Sequence, residues 1–70
     1  MSLKDFLLSA KQGQLTWFVV SGFLFRGSFV KADPGLEFVT LSQVAVFQGP
    51  QASASVPAIS VAVSSITAWG

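Results

Sequence analysis

The sequence predicts a mostly β fold: a small, strongly bent five-stranded barrel preceded by a short N-terminal α-helix. Three observations carry this. Leu3, Phe6, Leu7 and Ala10 recur at helical spacing and then the pattern stops. Apolar, β-branched and aromatic runs of strand length follow, separated by turn pairs such as Ser21-Gly22 and Asp33-Pro34-Gly35. Gly22 and Gly27 stand five apart in the middle of this apolar stretch, and Asp33 lies six beyond the second. That is the layout of a hairpin whose second strand must bend sharply at a glycine.

The helix is read at about 2–12. Ser2 with Asp5 three residues later forms a capping box, Asp replacing the usual Glu. Lys11 sits where a C-terminal cation suits the helix dipole, and Gly13 is a stop signal. A helix this short does not stand alone, so its apolar stripe must lie on the open end of the barrel.

The strands are read at about 15–21, 23–32, 36–47, 56–63 and 65–69 within one domain spanning 1–70. In the second strand Phe25, Gly27 and Phe29 share one face, and Arg26, Ser28 and Val30 the other. Gly27 removes a side chain from the apolar face and allows the bend. The third strand has a break signal near Ser42-Gln43, Gln48–Ser55 reads as a small-residue loop, and Ser64-Ser65 is a tight link to the last strand.

Composition then says how such a chain stays folded. A domain of this size buries only about 60% of its unfolded surface. The sequence has no cysteine and no histidine, which excludes disulfides and the usual zinc sites. Apolar residues make up 51% and charged residues 10%, against the roughly 25% charged of ordinary soluble domains. Oligomerisation is the remaining remedy. The last two strands leave an uncharged border, and such a border pairs with another chain. If that pairing is head-to-tail and the rotation closes, the product is a ring.

Phe38–Gly70 carries no charge, but Gln48-Gly49-Pro50-Gln51 and Pro57 interrupt it, and a spanning helix needs about 20 apolar residues. The amino terminus lacks the basic-then-apolar pattern of a signal peptide. The expectation is a soluble, cytoplasmic chain with no membrane partner. No cofactor and no metal are expected. Three carboxylates far apart, no Cys, His or Tyr and no phosphate-cradling glycine loop argue against an enzyme. The net charge of +1 makes no electrostatic case for nucleic acid unless symmetry multiplies a few cations.

Gly22, Phe25, Gly27, Phe29 and Asp33 fall at the offsets of the first motif of the Sm-like family, which includes the bacterial Hfq branch, and Leu3-Lys4-Asp5-Phe6-Leu7 is similar to the start of the Hfq helix. The chain resembles a divergent member of that family over nearly its whole length. The resemblance implies a homo-oligomeric ring of about five to seven subunits, closed by pairing the fourth strand with a neighbour's fifth. Candidate interface residues are then Ile59, Val61, Val63, Ile66 and Trp69. It also implies single-stranded RNA as a partner, with Asp33, Glu37 and Phe38 as candidate contacts, and Arg26 and Lys31, as cations that symmetry would repeat around the ring, are candidate phosphate contacts.

Where the family places a base-stacking residue followed by a polar one such as Asn, this sequence has Gly35, Leu36 and Glu37; Phe38 serves for stacking if the Pro34-Gly35 turn shifts the register by one. Where the second motif carries Arg-Gly or Tyr-Lys-His, it has Ala62-Val63-Ser64-Ser65. Two functions therefore stand side by side. One is RNA binding, or an RNA-chaperone-like scaffold, without catalysis. The other is a structural ring for protein partners that has lost the base pockets. Each candidate also has a plain role: Asp33 as a turn cap, Arg26, Lys31, Lys4 and Lys11 as solvated charges, and Phe38, Trp17 and Trp69 in packing or subunit contacts.

Overall fold

Ser2 caps the helix in the way the sequence requires: its hydroxyl accepts from the Asp5 N–H at 3.1 Å, and the Asp5 carboxylate accepts from the Ser2 N–H at 3.4 Å. In this computed structural model, which describes residues 1–70 with the side chain of Ala52 excepted, α1 runs Leu3–Ser9. It is shorter than the expected 2–12. Ala10 is already extended, and Lys11 and Gln14 close a turn in which the Gln14 N–H donates to the Lys11 carbonyl at 3.0 Å. Gly13, at φ +87°, serves that turn and not a helix end, and its N–H docks on the Phe29 carbonyl at 2.8 Å. Lys11 thus lies beyond the helix, which has no basic residue in its last turn.

The strands are β1 Leu15–Val20, β2 Phe23–Ala32, β3 Phe38–Gln48, β4 Gln51–Ala62 and β5 Ile66–Trp69, with a 3-10 turn at Val63–Ser65. They form one antiparallel sheet in the order β4-β3-β2-β1-β5, so β4 and β5 are its two borders and do not pair within the chain. Ser21 and Gly22, at φ +51° and +84°, make the two-residue hairpin turn whose twist suits paired strands. This turn fixes the β1–β2 register, Val20 opposite Phe23 and Trp17 opposite Arg26.

One correction concerns β4. Residues expected as a loop, Gln51–Ser55, are strand, and only Gly49 and Pro50 separate β3 from β4. Their Ser and Ala side chains carry weak strand propensity, but Ala45, Val46 and Gln48 on β3 supply the ladder that holds them. At the other end Val63 leaves the strand for the 3-10 turn. The third strand starts at Phe38, two residues later than expected, because Leu36 takes a left-handed conformation at φ +55° inside the preceding turn.

Bending comes from β2 and β3. Between the pairs Arg26–Ala45 and Ser28–Ser42, Gly27 alone faces Gln43 and Val44, and Gln43 has φ +51°. Val30 is an extra residue on the opposite strand a few positions on. Such bulges bend and twist a sheet. The curved inner face holds Phe18, Phe29, Val39, Leu41, Val44 and Val61, and α1 covers it through Leu7. The rings of Phe6 and Phe18 meet edge to face at 6.4 Å. Thr16, the buried polar side chain of this core, donates to the Gly70 carbonyl at 3.1 Å. Among the described residues no helix is long and apolar enough to cross a membrane.

A Cβ on Gly27 would stand 2.6 Å from the Ser42 carbonyl oxygen and 3.1 Å from a Val44 methyl. Gly27→Ala is therefore expected to lower stability by about 1–3 kcal/mol, the range of overpacked core sites. Denaturant titration reads it as a lower midpoint with an unchanged slope; a loss under about 0.5 kcal/mol, ordinary for a surface change, would show that the strands have room there.

Candidate functional site

The turn after β2 is built on one carboxylate. Asp33 Oδ1 accepts from the N–H groups of Glu37 at 2.7 Å and Phe38 at 2.6 Å, and Oδ2 accepts from the Gly35 N–H at 3.2 Å. Its backbone closes the same turn: the Leu36 N–H donates to the Asp33 carbonyl at 2.9 Å, and the Asp33 N–H donates to the Phe38 carbonyl at 3.0 Å. These amides, Phe38 first, hold the Asp33 carboxyl below its ordinary value of 3.8.

The organised turn then meets the other end of the chain. The Val63 N–H donates to the Glu37 carbonyl at 2.8 Å, which ties the 3-10 turn after β4 to the turn after β2. Between them lies a groove of about 340 Å³. It is lined by Leu36, Glu37 and Phe38 of one turn, by Ala62, Val63 and Ser64 at the other, and by Lys4 of α1. Phe38 is 51% exposed, unusual for a phenylalanine and available for stacking. The groove offers a carboxylate, an ammonium, a hydroxyl and an aromatic ring, a set suited to binding.

The sequence-based candidates divide. Glu37 and Phe38 line this groove and Asp33 organises it from behind. Lys31 is exposed on β2 opposite Thr40. Arg26 lies elsewhere, on the sheet face turned away from the core, with its guanidinium 5.9 Å from the Phe47 ring centre. There it shares a second groove, of about 350 Å³, with Trp17, Leu24, Phe47 and Gly49. Of the five interface candidates, Ile59 and Val61 are on β4, Ile66 and Trp69 on β5, and Val63 in the 3-10 turn that joins them. Val61 is in the core, and Ile59, Val63, Ile66 and Trp69 are half-buried against it.

Two features of these surfaces were not brought together by sequence reasoning. The Trp17–Arg26 neighbourhood follows from counting register out from Ser21-Gly22. Lys4 at the groove has no such signal, since only the seating of α1 places it there.

Because the lowered Asp33 value means that the folded chain favours the carboxylate, the stability it contributes is complete above pH about 4 and is lost as pH falls through the folded value. Asp33→Asn is expected to flatten the acid limb of a stability–pH curve below about pH 4. An acid limb identical to that of the wild type would mean that these amides do not discriminate the charged form.

No protein-family model and no curated protein matches the sequence. Among solved structures, the Sm protein of Pyrococcus abyssii in complex with a uridine heptamer is similar: TM-score 0.80, 18% identity, with 99% of this chain and 96% of that chain covered. The order of helix and strands, the bent sheet with two free borders and this full-length likeness establish that the chain has the Sm fold.

Proposed function

We propose that the chain forms a closed homo-oligomeric ring and binds single-stranded RNA in the groove between the two turns, without a chemical step. The single observation that carries the reading is the junction itself. Two segments far apart in sequence, Leu36–Phe38 and Ala62–Ser64, are fixed side by side by the bond between Val63 and Glu37, and the first carries the exposed aromatic ring of Phe38. Such a ring accepts a base of any identity on its face. That the Sm protein of like fold was solved with a uridine heptamer supports RNA as the ligand class.

The ring reading rests on the borders. β4 and β5 each present an unpaired ladder, and neither carries a charged residue to discourage pairing. Joining β4 to β5 of the next copy satisfies both and repeats the groove, with its Lys4, once per subunit. Of the candidates, Ile59, Ile66 and Trp69 lie half-buried on these borders and would be buried further by that union, while Val61 is already in the core and Val63 stands in the 3-10 turn between the two borders. Symmetry then supplies the cations that the net charge of +1 does not.

A second reading, a ring that holds proteins, draws on the outer face of the sheet. Trp17, Leu24 and Phe47 there make an apolar surface with Arg26, where an antiparallel sheet facing water normally carries polar residues.

Native mass spectrometry should show one closed oligomer at low micromolar concentration; a monodisperse monomer would remove the ring. Phe38→Ala should leave that oligomer intact and weaken binding of labelled RNA oligomers by about 1–3 kcal/mol in fluorescence anisotropy. Unchanged affinity would place the bases elsewhere. Absence of RNA binding by the wild type at about 50 mM salt, where phosphate contacts are strongest, would leave the protein-holding ring.

A further inference from the structure

We propose that Glu37 makes this groove select guanine over uracil. The inference rests on the groove being the RNA site and adds which base it takes. Glu37 is held by its main chain on both sides: its N–H donates to Asp33 at 2.7 Å, and its carbonyl accepts from Val63 at 2.8 Å. Its side chain starts from a fixed point beside the exposed ring of Phe38, and both line the groove. A base stacked on Phe38 shares the groove with this anionic side chain, whose carboxylate lies beside Gly35 in the same turn.

An ionised carboxylate only accepts hydrogen bonds, through two oxygens in one plane. Uracil offers a single N3–H flanked by two carbonyl oxygens. Against a carboxylate it makes one bond and brings acceptors against acceptors. Guanine offers N1–H and the N2 amine side by side, two parallel donors that match the two oxygens in the way a guanidinium does. Cytosine and adenine each offer one amine next to a ring acceptor and fall between. A phosphate is repelled by the same carboxylate and attracted by the Lys4 ammonium, so within the groove a base edge suits Glu37 and the backbone suits Lys4. Lys4 lines the same groove and is its cation; the hydroxyl of Ser64 and the apolar side chains of Leu36, Ala62 and Val63 carry no charge.

Three seven-nucleotide RNAs separate this from its alternatives: alternating guanosine–uridine, the same with inosine for guanosine, and all-uridine. Inosine keeps N1–H and lacks the N2 amine. In fluorescence anisotropy at about 50 mM salt the guanosine oligomer should bind about tenfold tighter than the uridine oligomer, a typical discrimination for one bidentate pair, with the inosine oligomer between them. Glu37→Gln, which presents an amide donor as well as an acceptor, should bring the three affinities together while native mass spectrometry shows the wild-type oligomer. Phe38→Ala should weaken all three alike. Equal or tighter uridine binding by the wild type, or a guanosine preference that survives in Glu37→Gln, overturns the assignment and leaves the groove as an RNA site. Failure of all three oligomers to bind overturns the RNA reading and the base preference together.

Discussion

At Gly27 the carbonyl oxygen of Ser42 fills the space that any side chain would need. The rest of the molecule depends on that close approach. It lets β2 and β3 bend together, with Gln43 turned into a left-handed conformation opposite. The bend wraps the sheet around Phe18 and Leu41, both fully buried, and leaves an open end for α1 to cover. It also ends before β4 reaches β5, which is why the sheet keeps two free borders in a single chain.

Much of this was legible in the residues. Ser2 and Asp5 specified a capping box, Ser21-Gly22 specified the hairpin and its register, and Gly27 marked the bend, each because the local chemistry admits few alternatives. Gln51–Ser55 was not legible. Its Gln, Ala and Ser side chains carry no strand preference, and only the pairing with β3 makes it a strand. The early end of α1 was likewise decided by tertiary contacts, since Gly13 is drawn to Phe29.

The site was legible in part. Asp33 before Pro-Gly announced a turn, and Glu37 and Phe38 fall within its reach. Arg26 shares only its charge with a phosphate-contact role, and strand alternation turns it to the other face, where it meets Phe47 and Trp17. The meeting of Val63 with Glu37, and the presence of Lys4 in the same groove, depend on how distant parts of the chain pack, which no local pattern encodes. The result is two surfaces on one small sheet, a clamped groove holding Glu37 and Lys4, and an apolar outer face holding Arg26.

The most direct test of the account is where bound RNA touches the protein. Ultraviolet crosslinking of the assembled protein to a seven-nucleotide guanosine–uridine RNA, with the modified residue located by mass spectrometry, reads this without mutation. The account predicts adducts at Phe38 and its neighbours in the turn after β2. Adducts confined to Trp17 and Phe47 would contradict it and move the binding surface to the outer face of the sheet.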